Sequence, residues 1–181
     1  GYKDIYVCNG IYHDLTNQDF MDFFANELMQ KMVITGKKAE IETIINKMPS
    51  TPIPNYAYKN NANLTFSNQA QNWGLDTPSF SNGAAYGDLD NDGDLDLYVG
   101  SGGNEYQKGS KELLDRLYFN DGKGNFTLQG RSLPPFTMNT SVVAPNDIDG
   151  DGDIDLFVGS RSFPMEYGLW PENYILENNG H

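Results

Sequence analysis

Ten of the 25 acidic residues crowd into two nine-residue windows, Asp88–Asp96 and Asp147–Asp155. Both read Asp-x-Asp-x-Asp-Gly-Asp-x-Asp. Carboxylates this close repel one another unless a cation sits among them. The chemistry that fits is capture of a hard divalent ion. Ca²⁺ takes about six to eight oxygens, so it needs several carboxylates converging from one tight loop. Positions 1, 3 and 5 of such a loop turn inward, glycine at position 6 permits a sharp bend, position 7 offers its carbonyl, and position 9 closes the shell. The expected ligands are Asp88, Asp90, Asp92, Asp94 (through its carbonyl) and Asp96, and again Asp147, Asp149, Asp151, Asp153 (carbonyl) and Asp155. Two Ca²⁺ sites are therefore expected. Mg²⁺ suits the pattern less, because it keeps several waters and rarely uses an all-protein cage. An EF-hand requires a Glu at position 12 and flanking helices. Position 12 is Val99 in one window and Val158 in the other, which excludes it and the dockerin-type loop alike. Two solvated Asp-rich turns are the plain alternative, and their recurrence in matched surroundings argues for metal.

The elements that position these loops come from an internal repeat. Asp88 to Gly100 returns as Asp147 to Gly159, an offset of 59 residues. Turn-forming asparagines Asn60, Asn120 and Asn178 follow at nearly the same period. Gly1 to Val7 lines up with Gly93 to Val99, so the chain is expected to begin inside a third loop and to stop at a hairpin, as a fragment of a longer array. The full unit over about 79–130 predicts four short strands, Ser81–Gly87, Asp96–Ser101, Arg116–Asn120 and Asn125–Gln129. Four antiparallel strands per repeat form the blade of a β-propeller. The fold class expected is mainly β, an incomplete ring of such blades with a small helical insertion. A partial blade would span 1–68, a complete blade 79–130 and a second partial blade 136–181. Leu97–Val99, Leu156–Val158 and Ile5–Val7 are apolar on both alternating faces, as strands buried between two sheets would be.

Asp4 and Asp96 lie 92 residues apart, 33 more than the period. Residues 16–48 supply the excess as a helical insertion. Thr16 with Asp19 forms a capping box, and Phe20, Phe24, Leu28 and Met32 make one apolar stripe. A second helix is expected over Lys37 to Met48, with Ile41, Ile44, Ile45 and Met48 on one face. Pro49, Pro52 and Pro54 end it. The stripe reads as core packing rather than a cofactor box.

A net charge of −13 offers no basic stripe for nucleic acid and no attraction to an anionic membrane surface. No apolar run reaches membrane-spanning length, so direct membrane insertion is not expected. Cys8 is the single cysteine, which rules out an internal disulfide and a Cys-based zinc site. His13 and His181 are the only histidines, without a nucleophile elbow beside them. Ser101 to Glu105 is Gly-rich but lacks the Lys and helix of a phosphate cradle. Trp73, Tyr167 and Trp170 could stack on sugars, although packing explains such aromatics more simply.

The Asp loops followed by an apolar strand resemble the FG-GAP/VCBS repeats of integrin α-subunit propellers and of bacterial secreted proteins related to cartilage acidic protein. The resemblance covers most of the chain outside the helical insertion. It implies a seven- or eight-bladed propeller with Ca²⁺ in the loop joining the first two strands of a blade. The function expected is that of a calcium-stabilised adhesion or ligand-binding module, not an enzyme, on a secreted or cell-surface protein. Its partners would be a protein or glycan ligand and the remaining blades of the parent chain. The alternatives are a scaffold segment of an extracellular polysaccharide-active propeller enzyme, or a structural repeat without a ligand.

Overall fold

The computed structural model describes residues 2–10, 17–36, 47–103, 106–130, 132–164, 166 and 168–180. In chain order the strands begin with β1 (Ile5–Val7), β2 (Ile53–Pro54), β3 (Tyr56–Asn60), β4 (Phe66–Asn68), β5 (Pro78–Ser79) and β6 (Ser81–Gly87). They continue with β7 (Asp96–Ser101), β8 (Arg116–Asn120), β9 (Phe126–Leu128), β10 (Thr140–Asn146), β11 (Asp155–Ser160) and β12 (Tyr174–Leu176). The protein is mainly β, and among the described residues its antiparallel sheets close no barrel, in keeping with incomplete propeller blades. The chain divides into two compact units, Gly1–Gly10 with Ile53–His181, and Ile11–Pro52.

In the larger unit, one four-stranded sheet runs β6-β7-β8-β9. Three-stranded sheets β1-β3-β4 and β10-β11-β12 carry the flanking repeats, and β2 pairs with β5. The repeat extends to its irregularities. A register shift falls between Ser81 and Gly83 in β6, and between Thr140 and Val142 in β10. Close approach explains the small residues here. A Cβ on Gly100 would collide with the Thr140 methyl of the next sheet.

Alternation along the second strand of each blade sets the stacking, because successive side chains point to opposite faces. Leu97 and Val99 pack with Ala57, Ala70 and Leu75 on the side of the first sheet. Tyr98 turns the other way, onto Val143, Leu156 and Val158 of the third. All six residues of β7 are buried, as a strand between two sheets must be. The outer strands depart from the expected two-sided burial. Phe157 is 38% exposed, while Ile5 and Val7 are 46% and 41% exposed. Three stacked sheets have only two interfaces, so among the described residues each outer sheet keeps one apolar face uncovered.

In the smaller unit, Asn17 Oδ1 accepts the Phe20 N–H at 2.8 Å and caps the helix start. Thr16 of the expected capping box lies outside the described residues. A stripe spaced strictly by four overshoots the 3.6-residue α-helical turn. The chain accommodates this by opening into a π-helix over Phe20–Ala25 before continuing as α1 (Asn26–Thr35). Phe20 is buried, and Phe24, Leu28 and Met32 are half-buried. The rings of Phe20 and Phe24 sit 5.3 Å apart. Gly36, at φ 64°, ends the helix by returning its N–H to the Met32 carbonyl. Most of the second expected helix, residues 37–46, lies outside the described residues. The Lys47 ammonium stands 4.7 Å over the Phe24 ring.

Candidate metal centres

Each Asp window is a loop closed by its own carboxylates. The last Asp is the fastener. Asp96 Oδ2 accepts the Leu89 N–H at 2.8 Å and its Oδ1 accepts the Asn120 N–H at 2.9 Å. Asp155 repeats both bonds with Ile148 and Asn178, each at 2.8 Å. The strand pair and the hairpin after the third strand are thereby tied to one side chain. Asp4 accepts the Asn60 N–H in the same way at 2.8 Å.

The first Asp spans the bend. Asp88 Oδ2 accepts the Gly93 N–H at 3.1 Å, and Asp147 Oδ2 accepts the Gly152 N–H at 3.2 Å. Gly93 and Gly152 have φ of 93° and 101°, the left-handed region that the expected sharp turn requires. Asp94 and Asp153 direct their carboxylates out of the loops. A Cβ on Gly122 would meet Asp94 Oδ2, and one on Gly180 would meet Asp153 Oδ2 at 2.7 Å. The two carboxylates therefore lie beside the glycines of the following hairpins.

Carboxylate oxygens of Asp88, Asp90 and Asp96 lie within 4.8 Å of one another, as do those of Asp147, Asp149 and Asp151. Each group could hold a metal ion. The clustered trios differ: Asp92 stands outside the first, and Asp155 outside the second. Fit to a cation rests on one atom. Asp88 Oδ1 is buried and has no hydrogen-bond partner among the described residues. A buried carboxylate oxygen is acceptor-only and costly to leave unpaired, so it calls for a positive charge. Burial, followed by the neighbouring Asp92 carboxylate, raises the pKa of Asp90. Burial likewise raises that of Asp96 despite its two backbone hydrogen bonds. At Asp149 the Asp151 N–H pulls the pKa down, but burial and the Asp151 and Asp155 carboxylates together outweigh it. Asp155 is lowered by the N–H groups of Asn178 and Ile148. Both side chains are buried, Asp155 at 1% exposed and Asp96 at 0%.

A second set of polar groups escaped sequence reasoning. Asn55, Asp115 and Asn173 each precede a third strand and accept an N–H from the end of the second. The donors are Asn9, Ser101 and Ser160, at 2.9, 2.7 and 2.9 Å. Two of the three also reach the next sheet. Asn55 Nδ2 donates to Tyr6 Oη at 2.7 Å and Ser81 Oγ at 3.0 Å. Asp115 instead accepts from Tyr98 Oη at 2.6 Å and Thr140 Oγ1 at 2.8 Å. The available signal was an Asn or Asp at one fixed place in each repeat. Its partners are too distant in sequence to read. Among the aromatics, Trp73 packs against the first core cluster, whereas Trp170 is 92% exposed. His13, Glu105, Tyr167 and His181 lie outside the described residues.

Residues 45–99 and 102–158, together more than half of the chain, each match the profile of the FG-GAP-like repeat. The chain belongs to the FG-GAP-like repeat family. No curated protein matches it. The FG-GAP-like repeat is offset from the sheet: each matched segment takes the last strands of one sheet and the first two of the next. One repeat therefore contains an interface between sheets rather than a self-contained blade, and the bonds from Asn55 to Ser81 and from Thr140 to Asp115 cross that interface within one matched segment. FG-GAP-like repeats form modules often found in extracellular and adhesion proteins. Among the described residues no helix is long and apolar enough to cross a membrane.

Proposed function

We propose that the two Asp loops of this FG-GAP-like repeat protein bind Ca²⁺, and that the metal stabilises a binding module of a secreted or cell-surface protein. The orphaned, buried Asp88 Oδ1 at the centre of an acidic cluster carries this reading. The ligands in the first loop are Asp88, Asp90, Asp92, the Asp94 carbonyl and Asp96. In the second they are Asp147, Asp149, Asp151, the Asp153 carbonyl and Asp155. Bound Ca²⁺ would supply positive charge to each cluster, and binding free energy adds to folding free energy. Affinity on the order of 10⁻⁴–10⁻³ M, as in other extracellular modules, would keep the sites filled outside cells. The module's own role is adhesion or ligand binding, to a protein or a glycan, rather than catalysis.

Thermal melts in Ca²⁺, in Mg²⁺ and in EDTA test the reading. A Ca²⁺-specific rise in midpoint is expected, lost in the D90A/D149A double variant. Equal midpoints in all three buffers would defeat it.

A further inference from the structure

The two loops touch. Asn91, between the expected ligands Asp90 and Asp92, donates from Nδ2 to Asp153 Oδ1 of the second loop at 2.9 Å. Asp153 is itself the residue whose carbonyl is the expected ligand. A second link runs through Asn178. Its Nδ2 donates to the Leu89 carbonyl at 3.2 Å, 89 residues away, and reaches the Ile154 carbonyl at 3.4 Å. Its backbone N–H meanwhile holds Asp155 Oδ1. Leu89 lies between Asp88 and Asp90, and Ile154 between Asp153 and Asp155. One side chain thus grips the chain beside the first two ligands of one loop and the last two of the other. Asn60 and Asn120 make the equivalent bond within their own repeats, to the Lys3 and Leu95 carbonyls at 3.2 Å each. The bond to Leu89 is the one that leaves the repeat.

We infer that the two loops are a coupled pair, in which Ca²⁺ bound at either one raises the affinity of the other through Asn91 and Asn178. This rests on the calcium reading above. Its physical basis is ordering: a loop fixed around its ion also fixes the carbonyls and carboxylate that its neighbour must otherwise immobilise, so the second event loses less conformational entropy. Asn91 holds a left-handed φ of 61° where the second loop has Gly150 at φ 83°. An asparagine tolerates that backbone less readily than glycine, but unlike glycine it has a side chain that donates to Asp153. Repulsion between the two dications opposes the coupling. It is screened within about 8 Å at physiological ionic strength, and salt does not remove the hydrogen bonds. Coupling therefore grows as salt rises.

Calorimetric titration of the whole protein with CaCl₂ decides the matter. Two ions should bind with positive cooperativity, the second about fivefold more tightly than the first after statistical correction. N91G, which copies the backbone of the second loop, should still bind two ions but with that factor reduced toward one. N178A, which keeps the backbone bond to Asp155, should do the same. Two independent, equivalent sites in the unaltered protein would overturn the coupling while leaving the calcium reading intact. Cooperativity unchanged in both variants would overturn the assignment to these residues. Absence of binding heat, together with no Ca²⁺-dependent change in melting midpoint, would overturn both readings.

Discussion

Loops 88–96 and 147–155 carry the same carboxylates at the same spacing, and both use the last Asp to fasten two strands to a hairpin. Their electrostatics nevertheless differ. In the second loop Gly150 turns its N–H onto Asp147 Oδ1 at 2.7 Å, so both oxygens of that carboxylate are satisfied. In the first loop Asn91 stands at the corresponding place, and Asp88 Oδ1 is left buried without a donor. Surroundings widen the gap. Leu89 packs against the cluster of Tyr98, Val143 and Leu156, whereas Ile148 is 43% exposed. Burial raises the pKa of Asp96, while its counterpart Asp155 is lowered by the same kind of hydrogen bonds. The orphaned oxygen and the raised last Asp thus belong to the first loop, although Asp149 in the second is also raised by burial and its neighbouring carboxylates. The covered loop should depend more on its metal.

The two loops should differ most at the last Asp. D96A would strand the Leu89 and Asn120 N–H groups in a buried place, at a cost of about 3 kcal/mol. In EDTA this should lower the midpoint by roughly 6–12 °C for a domain of this size. D155A should lower it less, and an equal or larger fall would remove the distinction between covered and open loops. Packing offers a milder version. L89A should cost about 1–2 kcal/mol and I148A under about 0.5 kcal/mol, read from urea midpoints. Similar values for the pair would mean that the two loops are covered alike.

Reversal of sign sharpens the contrast further. In EDTA, D88N replaces an orphaned buried acceptor by an amide that can donate to Asp90 or Asp96. The midpoint should therefore rise, by about 1 kcal/mol or roughly 2–4 °C. In Ca²⁺ the same substitution should lower it. D147N, which keeps one acceptor oxygen where the Gly150 and Gly152 N–H groups now have two, should lower it in both buffers. A fall on D88N in EDTA would show that Asp88 Oδ1 is better satisfied than its burial indicates.

The smallest effect concerns pH, and Asp115 supplies a reference outside both loops. Burial raises its pKa, against the hydrogen bonds from Tyr98, Ser101 and Thr140. The folded protein therefore holds this proton more tightly than the unfolded chain. Stability from Asp115 is full below the unfolded value of about 4 and is lost as pH rises through the folded value. D115N, which imitates Asn55, should flatten that part of the pH–midpoint curve in EDTA while retaining the fold. A D115N curve parallel to that of the unaltered protein would show that Asp115 is not the group responsible.

Much of the scaffold was legible from residue spacing. Three strands of the complete repeat, Ser81–Gly87, Asp96–Ser101 and Arg116–Asn120, match the expected boundaries. The fourth is shorter, Phe126–Leu128, because Asn125 is drawn into the turn by its bonds to Asp121. Asp-Gly turns and alternating apolar strands announce themselves because their causes are local: a glycine that permits a bend, and a pleat that repeats every two residues. Burial of the outer strands was misjudged because Ile5 and Phe157 have the composition of a covered face, and cover depends on a neighbouring sheet.

Order along the chain determined where carboxylates gather, where strands turn and which residues face opposite sides of a sheet, since backbone geometry and side-chain type act over a few residues. Which Asp oxygen lacks a donor, which sheet Asp115 grips and that Asn178 reaches Leu89 were decided only in three dimensions. Those properties depend on desolvation and on hydrogen bonds between segments tens of residues apart, and both exist only once the sheets have stacked.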